Sequence, residues 1–162
     1  GATMDPVTGG PRVDEGYATD VPGIFAAGNV VQVYDLVDDV SEAARIAGRS
    51  AGRYVREGPR EPGPALRLVA GENVRAVVPQ ELRLSALEEG PVVLQFRVRH
   101  PVEAPVEAQV RLGSEDGPVL LARRYRYVRP AEMVALTLQP RLVAELGHAR
   151  QLTISVVPRP AA

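Results

Sequence analysis

The chain contains no cysteine. This absence excludes disulfide bonds, thiolate metal sites and thiol redox centres, and it is compatible with a reducing compartment. Lysine is absent too, so all 19 basic residues are arginines. With 20 acidic residues the formal net charge is −1, which gives no electrostatic reason to expect nucleic acid or an anionic membrane as a partner.

Long apolar runs are also missing. No stretch approaches the roughly 18 apolar residues of a membrane span, and no charged leader followed by an apolar run opens the sequence. We therefore expect a soluble, cytoplasmic protein with no membrane partner. Met4 is internal, and residues 1–13 have the character of the middle of a domain, so we also expect the chain to be a fragment.

Proline, glycine and charge alternate at residues 56–65, "REGPREPGPA". Such a segment supports neither a helix nor a central strand, which makes it the best candidate for a linker. The sequence therefore predicts two parts, residues 1–58 and residues 65–162, joined by a linker at residues 59–64. At 162 residues the chain is long enough for one ordinary domain or two small ones.

The first part begins with extended segments. Residues 23–27 are apolar and small, as in a strand buried on both faces, and they end at Gly28 and Asn29, a pair suited to a tight turn. A short strand or hairpin is predicted at residues 12–19. Residues 30–38 are predicted to form an irregular loop.

A helix is predicted over residues 40–56. Asp39 is the expected N-cap, and Glu42 is placed to complete a capping box. Good helix formers continue until Gly58 and Pro59, which end the helix.

This helix carries small residues on one face: Ala44, Gly48 and Gly52 follow at intervals of four, with Ala47 and Ala51 beside them. Glycine inside a helix lowers helix stability by about 1 kcal/mol relative to alanine, so the two glycines of this helix need an explanation. Tight packing of the helix on a sheet is the favoured reason, and closeness to a bound cofactor is the alternative.

Residues 19–55, "TDVPGIFAAGNVVQVYDLVDDVSEAARIAGRSAGRYV", resemble the C-terminal end of the FAD-binding domain in the pyridine nucleotide-disulfide oxidoreductase family. That family closes its flavin domain with a threonine, a few residues, a strand similar to "GIFAAGD", a loop and a helix rich in alanine and glycine. With the preceding "DPVTGGPRVDEGYAT" the resemblance covers about residues 5–56. The phrase "T-x-x-P-G-I-F-A-A-G-N" is its most specific part.

The resemblance implies that most of the flavin domain is not in this chain. The family's first strand carries a glycine-rich dinucleotide turn, and no G-x-G-x-x-G motif occurs here. The fold implied is a strand–helix remnant of a Rossmann-type domain, whose partner is the remainder of that flavin domain. FAD would be the cofactor of the intact parent, with NAD(P) as its co-substrate. The isolated chain is expected to bind no FAD and to be inactive.

The resemblance also implies which residues meet the flavin. Gly28 would let the backbone approach the ligand, and Asn29, where the family usually has aspartate, would face the ribityl hydroxyls. The start of the following helix, at Asp39, Val40 and Ser41, would direct its partial positive charge at the flavin ring. No catalytic residue and no metal ligand is predicted in this chain.

The second part is predicted to consist of strands. Residues 91–100, "PVVLQFRVRH", and residues 106–113, "VEAQVRLG", alternate apolar and polar positions, which indicates one buried face in each. The Asp-Gly pair within residues 114–118 predicts a hairpin to the following strand. Six to eight strands at roughly ten-residue spacing predict a mainly β protein with an immunoglobulin-like sandwich.

Three other patterns carry no site prediction. The acidic residues around Tyr34 are interpreted as cap and loop residues rather than metal ligands: Asp35, Asp38 and Asp39. His100 and His148 stand beside turn signals and are interpreted as surface residues. Residues 122–127, "ARRYRY", interleave arginine with aromatic residues as single-strand nucleic-acid surfaces do, but the lack of net positive charge favours an exposed strand face.

Two functional hypotheses follow. In the first, the chain is the C-terminal part of an FAD-dependent, NAD(P)-linked oxidoreductase, and its β-sandwich serves docking or homo-oligomerisation. In the second, the chain is a non-enzymatic interaction module and the N-terminal resemblance is incidental. The sandwich shows no cluster of convergent histidine, aspartate, serine or cysteine, so we expect no catalytic site within it.

Overall fold

The computed structural model of the protein describes residues 1–60 and 63–159. It is mainly β, with two sheets and a few helices. The strands are β1 (Ala65–Ala70), β2 (Val74–Val78), β3 (Glu81–Arg83), β4 (Val92–Val98), β5 (Val106–Leu112), β6 (Val119–Tyr125), β7 (Val134–Leu138) and β8 (Gln151–Pro158). The helices are α1 (Val37–Glu57), α2 (Leu84–Glu89) and α3 (Val143–Leu146), with short 3₁₀ turns at Gly28–Val30 and Pro140–Leu142.

The larger sheet has the strand order β3-β1-β8-β5-β6. Neighbouring strands are antiparallel except β1 and β8, which run parallel, with Leu68 opposite Leu152. The predicted hairpin joins β5 to β6, where Gly113 has a φ of 74° and the Gly117 amide donates to the Ser114 carbonyl at 3.0 Å.

The smaller sheet has the order β2-β4-β7 and is antiparallel throughout. Alternate residues of β4 are fully buried, including Leu94, Phe96 and Val98, as the sequence pattern predicts. They share one apolar core with residues of the larger sheet such as Leu66 and Ile154. Two sheets around one core are compatible with a β-sandwich.

The predicted strand at residues 23–27 does not form. Its only ladder contact is an isolated antiparallel bridge between Ala18 and Phe25, and a second isolated bridge joins Met4 to Pro11. The predicted hairpin at residues 12–19 is likewise reduced to these bridges. A strand is held by neighbours on both sides, and within the described residues this segment has none beyond its own loop.

Helix α1 begins three residues earlier than predicted. Its N-cap is Leu36, which makes no side-chain cap bond, so the prediction of Asp39 as N-cap is wrong. Glu42 bonds to Arg45 at 2.5–2.8 Å instead of closing a capping box. The helix ends at Glu57, and Gly58, with a φ of 83°, donates to the Tyr54 carbonyl as the predicted stop.

The small-residue face of α1 does not pack on a sheet within this structure. Ala43 and Ala47 form the buried face, whereas Ala44 and Gly48 are exposed. A Cβ added at Gly48 would meet no atom within 4 Å. Ala44 and Gly48 therefore contact no sheet within the described part of the chain, and packing of this face on a sheet of the parent protein stays a prediction.

Residues 1–60 lie against the smaller sheet and its flanking loop. The Val13 amide donates to the Gln80 side chain at 2.9 Å, and the Gln80 amide donates to the Val13 carbonyl at 3.0 Å. Arg97 of β4 donates to the Asp35 carboxylate at 2.6 Å. Val78 of β2 joins the N-terminal apolar cluster. Part of the predicted linker at 59–64, residues 61 and 62, lies outside the described residues.

Candidate functional site

Gly28 lies where the N-terminal loop turns towards α1. Its φ of 76° is in the left-handed region that favours glycine, and it is buried. A Cβ at this position would lie 3.3 Å from a methyl carbon of Val40 in the first turns of α1. The structure thus brings together two of the predicted site residues, because the Gly28 backbone lies close to the Val40 side chain.

Asn29 follows on the exposed side of the same turn. Its side-chain carbonyl oxygen accepts the Tyr34 amide at 3.2 Å, which holds the loop in a compact turn. Its side-chain NH₂ has no partner among the described residues. Asn29 therefore combines a structural bond with a donor group that is available to a ligand.

A pair of buried tyrosines, Tyr17 and Tyr34, lies beside this turn. The hydroxyl oxygens of Tyr17 and Tyr34 lie 3.2 Å apart in a buried position. Burial, followed by the Tyr34 hydroxyl, raises the pKa of Tyr17 well above its ordinary value. Tyr17 is therefore neutral at physiological pH, and the two rings are joined by one hydrogen bond between their hydroxyl groups.

The start of α1 presents the other predicted residues. No side chain caps this terminus, and the first turn carries Asp38 and Asp39, which complement the positive end of the helix dipole. The Ser41 hydroxyl donates to the Val37 carbonyl at 2.9 Å. Ser41 therefore bonds within its own helix, whereas the backbone amides of the first turn are the groups that remain open to a ligand.

Exposed aliphatic residues surround this turn. Val30 is 60% exposed, Val33 67% and Leu36 62%, and all three lie in the loop between the Gly28 turn and α1. Sequence reasoning described this loop only as irregular. The signal that was available is its composition: the loop contains several large apolar residues and no glycine or proline, which is unusual for a solvated loop.

A charged network joins the N-terminal loop to β3 and the end of α1. The Glu15 side chain is 5% exposed; it accepts the Arg83 amide at 3.0 Å and the Arg60 guanidinium at 3.0 Å. Burial raises the pKa of Glu15 in spite of these donors. An adjoining cavity of about 310 Å³ is lined by residues that include Phe25 and Tyr54. Arg83, one of several charged residues that line the cavity, is paired with Asp14 and Glu15, so its own charge is not free for a ligand.

The remaining polar candidates are structural. The Asp35 carboxylate accepts hydrogen bonds from the Arg97 guanidinium at 2.6 Å and from the Met133 amide at 3.0 Å. These bonds connect the loop to the smaller sheet. His100 and His148 are exposed, as predicted. Within residues 1–60 and 63–159 no group of three or more histidine, aspartate or glutamate side chains is arranged to hold a metal ion.

Comparisons of this chain with family models, with curated proteins and with solved structures find no match. In the described ranges, no helix has the length and apolar character required to cross a membrane.

Proposed function

We propose that this chain is the C-terminal part of an FAD-dependent, NAD(P)-linked oxidoreductase similar to the pyridine nucleotide-disulfide oxidoreductases. Residues 1–58 complete its flavin domain, and residues 65–162 form an immunoglobulin-like β-sandwich that serves docking or oligomerisation. One observation carries the proposal: the Gly28 turn and the uncapped start of α1 are adjacent and are bordered by the exposed side chains of Val30, Val33 and Leu36. Apolar surface of this kind is normally covered by a partner.

The residues present fit one end of a flavin. Gly28 allows the tight turn beside Val40 that exposes Asn29, and Asn29 offers an amide donor for a ribityl hydroxyl. The open amides at the start of α1 favour negative charge on an adjacent ring. When bound, FAD would accept a hydride from NAD(P)H, and the role of this chain would be to bind and orient the ribityl end and to exclude water from it.

The adenine end of the cofactor has no counterpart in this chain. A glycine-rich turn at a helix N-terminus normally holds the pyrophosphate, and the sequence contains no such motif. The remainder of the flavin domain would supply it. A ribityl contact alone is too small to offset the entropy lost on binding, so the isolated chain should not bind FAD appreciably.

The alternative function is a non-enzymatic interaction module. It is favoured by the core of the β region, which is assembled from residues of both sheets without any contribution from residues 1–60. The two functions differ in flavin content: the oxidoreductase requires bound FAD in the longer polypeptide, and the module does not.

The decisive experiment uses the longer polypeptide encoded by the reading frame extended upstream of Gly1. We expect it to purify with one FAD per chain, as measured by visible absorbance. The Asn29→Leu variant leaves a ribityl hydroxyl without its partner, which costs about 1–3 kcal/mol and lowers FAD affinity on the order of tenfold. Asn29→Asp should retain FAD, because the carboxylate also accepts from hydroxyl groups.

Folding defects are separated by measuring flavin per folded protein together with the melting temperature of the flavin-free form. Gln139→Leu makes a similar amide-to-leucine change at an exposed position of the β region and should leave flavin content unchanged. Full flavin content in Asn29→Leu would remove Asn29 from the site. A reading frame without an upstream flavin domain would contradict the oxidoreductase proposal itself.

A further inference from the structure

The outer face of α1 has no partner in the described part of the chain. The helix buries Ala43 and Ala47 against its own protein, and on another side it exposes Val37 to 76% and Val55 to 83%. These two valines are about five helical turns apart, roughly 27 Å along the axis, so they lie on the same face. Large aliphatic side chains at both ends of one helix face are costly to leave in water.

The positions on this helix face from Val37 to Val55 are spaced symmetrically about the middle of the helix. Val37, Ser41, Ala44, Gly48, Ala51 and Val55 follow at spacings of four, three, four, three and four. The same spacing is read from either end, which is the pattern along which two antiparallel helices meet in register. Val37 of one helix would meet Val55 of another, and Ala44 would meet Gly48. The small central residues allow close approach, and the space beside Gly48 is open.

Charges beside the valines agree with the same arrangement. Asp38 and Arg56 are also about five turns apart, one next to each valine, and both are exposed. Neither makes an ion pair or side-chain hydrogen bond with any residue that the structure describes. An antiparallel pair of helices would bring Asp38 of each copy beside Arg56 of the other. A parallel pair would bring like charges together.

We propose that two copies of the protein associate through the outer face of α1, with the two helices antiparallel about a two-fold axis. Such an isologous interface is self-complementary: the valine and charge at each end are matched by those at the opposite end. An interface built from one helix is small, so the dimer is expected to be weak and to dissociate on dilution. The proposal does not depend on flavin binding or on the proposed oxidoreductase function.

The test is sedimentation velocity of the 162-residue chain over a range of concentrations. The wild-type protein should pass from monomer to dimer as concentration rises. Asp38→Arg and Arg56→Asp each place like charges across both ends of the interface, and each should weaken association on the order of tenfold or more. An equimolar mixture of the two variants restores opposite charges at both ends, so it should form a heterodimer.

Two further variants distinguish surface chemistry from folding. Gly48→Leu raises helix propensity and enters open space in the monomer, but it should abolish the dimer because it blocks close approach. Arg126→Asp makes the same charge change as Arg56→Asp at an exposed position of the β region and should not alter association. Circular dichroism confirms that each variant is folded.

The outcomes are separable. A wild-type chain that remains monomeric at every concentration overturns the proposal and leaves the α1 face to another partner, such as the remainder of the flavin domain. A dimer that is insensitive to all three α1 variants also overturns it and assigns the interface to another surface. Weakening by Asp38→Arg and by Arg56→Asp alone, together with restoration in their mixture, is expected only for antiparallel copies of this helix, because a parallel wild-type pair already has like charges at both positions.

Discussion

Residues 1–60 and residues 63–159 differ in how many of their large apolar side chains they leave exposed to solvent. Among the described residues, eight of the eleven exposed large hydrophobic side chains belong to the first region, although it is the shorter one. The second region gathers its apolar residues into one core between two sheets. The comparison shows that the β region has a core of its own, whereas the N-terminal region leaves much of its apolar surface exposed in this structure.

The N-terminal region nevertheless has a defined structure, because the β region holds it. Its small apolar cluster includes Val31 and Tyr34, and Val78 of β2 packs in the same cluster. The buried hydrogen bond from the Val13 amide to Gln80 and the part-buried bond from the Arg83 amide to Glu15 add to this attachment. The asymmetry therefore predicts a direction of dependence: the N-terminal region needs the β region, and the reverse dependence is weaker.

The largest expected effect is seen on separating the two regions. Residues 65–159 should retain a cooperative thermal transition, because their core is complete. Residues 1–58 alone should lose most of their helix, because a single helix without tertiary packing is marginally stable in water. Circular dichroism of both pieces measures this. A β region that unfolds without a cooperative transition would show that the two regions form one folding unit.

Within the β region, Phe96→Ala should be severely destabilising. Phe96 is fully buried between the sheets, and its truncation leaves a cavity that costs about 3–5 kcal/mol. Urea unfolding measures the change. Val93→Ala, on the exposed side of the same strand, should stay within about 0.5 kcal/mol of the wild type. Similar losses at both positions would contradict the observed burial pattern.

At the contact between the regions, Glu15→Ala should have a smaller effect. The substitution leaves the part-buried Arg83 amide without its acceptor, which costs about 1 kcal/mol or more. The control is Glu103→Ala, which removes the exposed pair with Arg129 and should cause no measurable change. We expect the difference to appear in urea unfolding of the whole chain. Equal effects at the two positions would argue against a structural attachment through Glu15.

The smallest effect is a pH dependence that arises from the same side chain. Burial raises the pKa of Glu15 above its ordinary value, so the folded state binds this proton more tightly than the unfolded chain does. The contribution of Glu15 to stability is therefore greatest below the ordinary carboxyl pKa, and it falls as pH rises through the window up to the raised value.

Glu15→Gln should remove this dependence, since it cannot titrate. The difference in unfolding free energy between wild type and Glu15→Gln, measured across mildly acidic pH, isolates this residue from carboxylates with lowered pKa such as Glu89. A difference that is constant with pH would show that the Glu15 pKa is not raised.

Local alternation and turn chemistry predicted much of the β region. Leu94, Phe96 and Val98 alternate with polar or exposed neighbours, and the Asp-Gly pair marks the β5–β6 hairpin. β3 has three residues and α2 has six, and elements of that length show no readable period. The parallel pairing of β1 with β8 is a contact between segments far apart in sequence, which no local pattern encodes.

The sequence predicted only the turn residues of the candidate site correctly. Gly28 and Asn29 were identifiable because a turn requires these residue types. The start of α1 was misplaced because Leu36, an apolar residue with no side-chain cap bond, occupies the N-cap, whereas Asp39 has the chemistry that caps usually show. The failed strand at residues 23–27 follows from missing neighbours, since a strand pattern describes a segment but supplies no sheet for it.

The position of β8 also sets the order in which the protein can be completed during synthesis. β8 is the last strand in sequence order, yet it lies in the centre of the larger sheet, between β1 and β5. Until it leaves the ribosome, the two sides of that sheet have no strand to join them. The smaller sheet needs only β2, β4 and β7, so it can assemble earlier and receive the N-terminal region first. We therefore expect a nascent chain to expose the inner edges of β1 and β5 until β8 has emerged, which makes this interval the one in which the β region most needs a chaperone.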